Sequence, residues 1–450
     1  MSQQEPKSVW QRAIDVLDRA SKQHHVVALR DGMIASVPII LVGSTFLLLG
    51  QQAQVLEKYF PSVYNSAFGQ WYVAAVPSIL LPYRLTMGLL SLYVAFTIAT
   101  ALARQYHLPP IPQGLGAVAA LLVTGIPQRI PLADGGTPEW VLPMKPLGPE
   151  GLFLAILLGI LMVELSRLIL RPGREAPPEE AVEGGIPPAV LAAFQSFLPI
   201  LLMILLVWLI RHVMGFDIHA FILHQAEFLK SWGDSLATVV VVNVLLHVFG
   251  VAGVHGISVI NAVMLPIWLQ FLAANAEAHT AGQVMQYVTA YPFYQFLIWT
   301  GGAGATLAPA VLLLMSRARH MRSIGKISIV PILFNVNEPL LFGLPVVANP
   351  LLAVPFILAP VACGVVAFLA ISAGLVGKPF IEVPWVVPCF LGAYLSTQDW
   401  RAVVLLAVNL SISAAIWFPF LKAYERRLLE GRAAAKDTEE ERGTESDPET

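Results

Sequence analysis

Charge is what this chain has least of. Asp, Glu, Lys and Arg make up 12% of its 450 residues and hydrophobic residues 56%, where a soluble domain carries about 25% charged residues. That shortage excludes an ordinary soluble fold and places the chain among integral membrane proteins. Cysteine is almost absent: Cys363 and Cys389 sit in apolar surroundings without CxxC or metal-ligand spacing, which reads as two inert thiols and no metal. No cleavable signal peptide is expected, since the first apolar run begins only after about 30 polar residues. No Ser-His-Asp order or nucleotide loop emerges either, so the chain is not expected to hold a catalytic set of its own. The net charge of −2 hides a segregation, because nine of the 29 acidic residues follow position 424.

What is present is long apolar sequence. Residues 7–30 space Trp10, Ala13, Ile14, Leu17 and Ala20 as one face of a helix, with Lys and Arg opposite, which predicts an amphipathic surface helix over the cytoplasmic segment 1–32. Apolar segments follow near 33–50, 71–82, 85–103, 114–126, 151–170, 189–210, 237–251, 256–274, 291–316, 351–374, 384–396 and 402–420. A bilayer crossing takes about 20 residues. Segments 71–82, 114–126 and 384–396 fall short, and short pieces interrupted by Pro or Gly suit re-entrant or broken helices. The reading is an all-α polytopic membrane protein with about ten spans plus re-entrant pieces. Lys and Arg cluster in the first 30 residues, at 167–174, at 317–326 and from Lys422 onward, whereas 275–290 has none. Both termini, the 171–188 linker and 317–326 are therefore expected inside, and 275–290 outside. The Pro- and Glu-rich linker divides an N-terminal region, 33–170, from a C-terminal region, 189–420, ahead of a charged, disordered tail at 421–450.

Polar residues in an apolar setting are costly and point to function. "NVNEPLLFGLPVVANP" at 335–350 places Asn335, Asn337 and Glu338 between hydrophobic stretches. A water-exposed loop is one reading. Against it, Phe334, Leu340, Leu341 and Phe342 crowd the polar group, and Pro339 bars regular helix from running through Glu338. Irregular backbone lining a hydrated cavity satisfies both facts. His255, in "HVFGVAGVHGIS", is either a satisfied core histidine or a site residue. Gly250, Gly253 and Gly256 around it permit a helix break, and His247 has the weaker claim. "GGAGAT" at 301–306 lacks the Lys-Ser/Thr of a phosphate loop and reads as small-residue helix packing. Glu164 is expected to pair with Arg167 at a helix end, and Asp31-Gly32 to mark the junction between surface helix and first span. Trp385 suits either an interfacial belt or a stack on a sugar ring. Amides, carboxylate and aromatic faces together fit a polar organic solute such as a sugar, and the residues by themselves also allow an ion-coupled solute carrier.

The chain resembles the lactose/cellobiose-type (oligosaccharide, diacetylchitobiose-like) membrane component, enzyme IIC, of the bacterial phosphoenolpyruvate-dependent sugar phosphotransferase system. "FNVNEPLLFGLPVVANPLLAVPFILAP" carries the likeness most specifically. "ALRDGMIASVPIILVGSTFLLL", "GPEGLFLAILLGILMVELSR", "GVHG", "GGAGATLAPAVLLLMSRARHMRSIGKISIVP" and "VPWVVPCFLGAYLSTQDWRAVVL" extend it almost end to end. The resemblance implies a homodimeric transporter of the bacterial inner membrane with two re-entrant hairpins. It implies a sugar of the cellobiose, lactose or chitobiose class, phosphorylated at its C6 hydroxyl by a separate phospho-EIIB. EIIA and the general phosphotransferase proteins would feed that donor from phosphoenolpyruvate, with no cofactor bound. It maps the family's binding glutamate onto Glu338 and its histidine onto His255, with Asn335 and Asn337 in the same hairpin; Trp385 is a further candidate sugar contact. The chain departs from the family at Gly250, where a Trp is common, at "WVVPC" (385–389), where Trp-Thr-Thr-Pro-Pro is common, and at "YRLTMG", where an Asn is common. An ion-coupled or facilitative sugar carrier of the same fold is the alternative, and a glycan-processing enzyme is disfavoured by the lack of a nucleophile or acid pair.

Overall fold

The computed structural model describes residues 22–125, 127–131, 137–170, 188–346 and 349–445. The expected surface helix over 7–30 and the 171–188 linker therefore fall almost wholly outside the described residues. The molecule is predominantly helical. Its principal helices are α1 (His24–Tyr59), α2 (Ala67–Ile79), α3 (Leu90–Gln105), α4 (Pro110–Thr124), α5 (Leu152–Leu170), α6 (Pro188–Trp208), α7 (Ile218–Gly233), α8 (Leu236–Val251) and α9 (Gly256–Thr280). They continue as α10 (Leu307–Leu314), α11 (Arg319–Leu333), α12 (Glu338–Gly343), α13 (Pro350–Ser372), α14 (Cys389–Thr397) and α15 (Arg401–Glu445). The purely helical expectation misses one small exposed hairpin, in which β1 (Gln128–Ile130) pairs antiparallel with β2 (Glu139–Val141), Arg129 opposite Trp140.

Among the described residues, seven helical stretches are long and apolar enough to cross a membrane, or eight if 218–233 and 236–251 form one broken span. The twelve apolar segments of the sequence thus do not each become a span. Segment 291–316 shows why. It is a single apolar run, yet the chain holds a short wide helical turn at Phe293–Ile298, breaks, and resumes as α10. At the break Gly301, Gly302, Gly304 and Ala305 all have positive φ, between 52° and 104°, which no α-helix accommodates. "GGAGAT" is therefore a left-handed turn, and the small-residue helix packing expected there is corrected. Segment 114–126 lies in α4, only 15 residues long.

The chain folds as two compact units whose boundary is not the 171–188 linker. Unit 1 comprises residues 1–235, 258–291 and 380–382, and unit 2 comprises 236–257, 292–379 and 383–450. The sequence placed 189–420 in one C-terminal region, but α6, α7 and most of α9 cluster with the N-terminal helices. The core of unit 1 is built on small residues: Ala95, Ala99 and Ala103 on α3, Ala117 and Ala120 on α4, and Ala155 on α5 are all buried. Small side chains let apolar helices approach closely. A Cβ on Gly32 would lie 2.6 Å from the Ile98 side chain, so Gly32 serves contact between α1 and α3. Helix α1 runs unbroken through Asp31, which pairs with Arg30 at 2.8 Å, so the junction expected at Asp31-Gly32 is absent. Glu164 does pair with Arg167, at 3.3 Å, and also meets His25 Nε2 at 3.0 Å.

In unit 2, α13 packs on α8 and α15. Cys363 and Cys389 are buried free thiols. Asn409 Nδ2 on α15 donates to the Leu297 carbonyl at 2.7 Å, and Ser413 Oγ to the Ala305 carbonyl at 2.9 Å, tying α15 to the broken 293–306 segment. The 421–450 region, expected to be disordered, continues α15 as helix through Glu445. The reason is local: Ala, Leu, Glu, Lys and Arg dominate that stretch and all favour helix.

Candidate functional site

The candidate site residues Asn335, Asn337, Glu338, His255 and Trp385 all belong to unit 2. Helix α11 ends at Leu333, and the chain turns through Phe334–Asn337 before α12 begins at Glu338 with Pro339 in its first turn. Proline suits that position because its missing N–H would have no partner there in any case. The helix break expected at Pro339 is therefore present.

The two asparagines hold this turn. Asn335 has φ +62°, a left-handed conformation that Asn tolerates better than most residues. Its Nδ2 donates to the carbonyls of Trp385 at 2.6 Å and Val387 at 3.0 Å, and its Oδ1 accepts from Gly301 N at 3.1 Å. Asn337 is buried, and its Nδ2 donates to the Ala303 carbonyl at 2.6 Å and to Thr306 Oγ1 at 3.1 Å. Three irregular segments, 301–306, 334–337 and 385–387, are thereby joined by side-chain amides. Gly302, at φ +104°, lies so close that a Cβ there would stand 2.6 Å from Asn337 Cγ.

A deeper layer supports the glycine turn. His247, fully buried on α8, accepts from Gly304 N at 2.8 Å through Nε2, while its Nδ1 lies 2.6 Å from the Asn243 carbonyl. Trp417 Nε1 donates to the Gly304 carbonyl at 3.0 Å, and Trp299 Nε1 to Asn243 Oδ1 at 2.9 Å. The Phe356 ring packs edge-on to His247, with centroids 5.0 Å apart. A Cβ on Gly304 would meet that ring at 2.3 Å, and one on Gly250 at 3.0 Å. His247 is thus a bracing residue. Asn243, Trp299 and Trp417 belong to the same brace; nothing in local spacing marked them, because each acts on a segment far along the chain.

Glu338 and His255 are placed differently. Glu338 is exposed and makes no hydrogen bond or ion pair with any described residue, in contrast to the asparagines beside it. His255 is exposed in the break between α8 and α9, after Gly253 at φ +81° and before Gly256, whose Cβ would collide with the Leu246 carbonyl at 2.0 Å. Trp385 is 51% exposed, and its backbone rather than its ring holds Asn335. The arrangement is a rigid, amide-stapled irregular core with a carboxylate, an imidazole and an indole at accessible positions.

Broken helices whose polar turns are fastened within an apolar bundle define a multi-pass membrane transporter. Comparison with known proteins makes the class specific. Residues 30–360 match the model of the family described as "Phosphotransferase system, EIIC". The chain is 30% identical over 437 residues to the "Lichenan permease IIC component" of Bacillus subtilis (strain 168), covering 93% of each chain. It is 31% identical to the "PTS system cellobiose-specific EIIC component" of Geobacillus stearothermophilus, covering 92% of this chain and 93% of that one. The crystal structure of the transporter ChbC, the IIC component from the N,N'-diacetylchitobiose-specific phosphotransferase system, superposes with a TM-score of 0.80 at 28% identity, covering 93% of this chain and 98% of that one. The chain belongs to the phosphotransferase system EIIC family and is a sugar-transporting membrane subunit of such a system.

Proposed function

We propose that this subunit, as an inner-membrane homodimer with about ten spans, two re-entrant hairpins and both termini inside, admits a β-linked disaccharide from outside. The sugar is presented at the inner face to a separate phospho-EIIB, recharged through EIIA and the general phosphotransferase proteins from phosphoenolpyruvate. The relatives named for lichenan, cellobiose and N,N'-diacetylchitobiose support a sugar of that class. The observation that carries the assignment is the contrast within one turn. Asn335 and Asn337 spend their amides on bracing, whereas Glu338, next along the chain, engages no described residue.

In this reading Glu338 accepts a hydrogen bond from the C6 hydroxyl and takes its proton as the oxygen attacks phosphorus. His255 donates to the same region of the sugar or offsets developing charge. Asn335 and Asn337 act on the sugar by fixing the turn, and Trp385 offers its exposed ring to a pyranose face. The phosphoryl group passes from EIIB to the sugar without resting on this chain, and no cofactor is bound.

The test is reconstitution in inside-out vesicles with phosphoenolpyruvate, the general phosphotransferase proteins, EIIA, EIIB and cellobiose, lactose or chitobiose. Sugar 6-phosphate is the expected product. Accumulation of free sugar that collapses with an ionophore would replace this reading with that of an ion-coupled carrier.

A further inference from the structure

We propose that unit 1 holds a second carbohydrate site, separate from the Glu338 turn, that takes a β-linked sugar before translocation. The proposal builds on the sugar-transport reading above. Unit 1 holds an open cavity of about 690 Å³ between the segment 80–88, the segment 144–150, the end of α7, one face of α9 and the loop 281–287. Pockets of about 300–1,000 Å³ are the usual size for small organic ligands. The loop belongs to the 275–290 stretch, free of Lys and Arg, that the charge pattern assigns to the outer face.

Gln270 is the observation that points to a ligand. It lines this cavity on α9, is 5% exposed, and neither its Oε1 nor its Nε2 has a hydrogen-bond partner among the described residues. Burying an amide unsatisfied is costly, and such groups are rare in folded proteins. A primary amide offers donor and acceptor side by side, which matches the vicinal hydroxyls of a sugar.

The wall beside it is stiff and aromatic. The Phe271 and Tyr287 rings stack at 4.3 Å and 14°. Tyr287 is clamped through its backbone, its N–H donating to Asn275 Oδ1 at 3.0 Å and its carbonyl accepting from Asn275 Nδ2 at 2.6 Å. Asp234 then holds the next two residues, accepting from Val288 N at 3.0 Å and Thr289 N at 2.8 Å. A fixed aromatic edge beside an unspent amide is a sugar-binding combination, because a pyranose is apolar on its faces and polar at its rim.

Charge argues for a neutral ligand. Arg84, Lys145 and Lys230 on the lining are opposed by Glu150 and Glu277, and Lys145 is already paired with Glu150 at 3.3 Å. A phosphate or lipid headgroup would meet both carboxylates, whereas a polyol uses either sign as a hydrogen-bond partner.

The experiment places a cysteine at Ala281, an exposed residue of the lining, in a Glu338→Gln background and follows its modification by a membrane-impermeant maleimide in spheroplasts. Cellobiose, lactose and chitobiose serve as probes. At least one should slow modification 5-fold or more with saturable dependence, and adding Gln270→Met should abolish that protection. Glu277→Gln, at an exposed position, should weaken it should the Gln270 variant fail to fold. Absence of protection by all three sugars, while the Glu338-containing protein still forms sugar phosphate, would overturn the second site and leave the transport reading standing. Absence of both protection and sugar phosphate would overturn both. A modification rate that follows the phosphatidylglycerol content of reconstituted vesicles and ignores sugar would overturn the proposal in favour of a lipid headgroup.

Discussion

Asn335 Nδ2 donates to the carbonyl oxygen of Trp385 at 2.6 Å, fastening a turn in one helical break to the tip of another segment 50 residues away. The same side chain reaches Val387 and Gly301, so one amide fixes three pieces of irregular backbone. Asn335→Ala should therefore lower the melting temperature of the purified protein. The Gly301 N–H would be left without its acceptor, a loss of about 1–3 kcal/mol for a buried group, and Ala would strain at φ +62°. Asn335→Gly should recover the strain component but not the bonds, giving a melting temperature between those of the other two. A variant series in which Gly and Ala behave alike would show that backbone strain contributes nothing.

Glu338 is exposed and makes no bond within the described chain, so Glu338→Gln should melt like the parent. Sugar phosphate formation should fall by about 100-fold or more, the scale of a lost general base. Assays in the reconstituted system, run beside a melting curve, separate the two effects. Near-parental phosphorylation would remove Glu338 from the proposed chemistry.

Gly302→Ala should fail to give stable protein. The new methyl would stand 2.6 Å from Asn337 Cγ at a φ of +104°, a conformation that Ala avoids. The check is monodispersity and melting after membrane extraction. Gly374→Ala, also at positive φ but with nothing within 4 Å of its Cβ, is the control for strain alone and should survive extraction.

Asp399 gives a pH-dependent prediction outside the spans. Partial burial alone would raise its pKa, but hydrogen bonds from Arg401 and from the Gly377 backbone, together with the Arg401 charge, outweigh it and hold the carboxyl below its ordinary value. A depressed folded-state pKa means that this stabilisation is complete above the unfolded value, near 3.9, and is lost as pH falls through the lower folded value. Asp399→Asn should thus melt below the parent at pH 7, with the gap narrowing as pH drops below about 4. A gap constant across that window would mean that the ion pair adds no stability.

The break at Asn335–Glu338 was legible because its cause is local: a polar cluster, a proline and apolar flanks within a few residues. The likeness to EIIC proteins rested on the same stretch. What escaped is non-local. The partners of Asn335 lie 34 to 52 residues away, and nothing near it in sequence says whether an amide braces a turn or meets a ligand. The glycines of 301–306 were ambiguous for a related reason, since close helix packing and left-handed turns ask for the same residue. Gln270 is one of two amides in the apolar run "MLPIWLQFLAANAE", and nothing local tells it from Asn275, whose amide is bonded to the Tyr287 backbone. The helix through 445 was hidden by its charge, which suggested solvated chain where good helix formers stand in succession.

The turn from Gly301 to Ala305, left-handed at four of its five residues, has a consequence for engineering. Its shape depends on side chains that are missing, and it is locked against Asn337, His247 and Trp417. A library aimed at a new sugar would waste its members there. Diversity belongs at Trp385 and Val386, whose side chains are exposed while the neighbouring backbone is already stapled, so that recognition can be rewritten without recasting the frame beneath it.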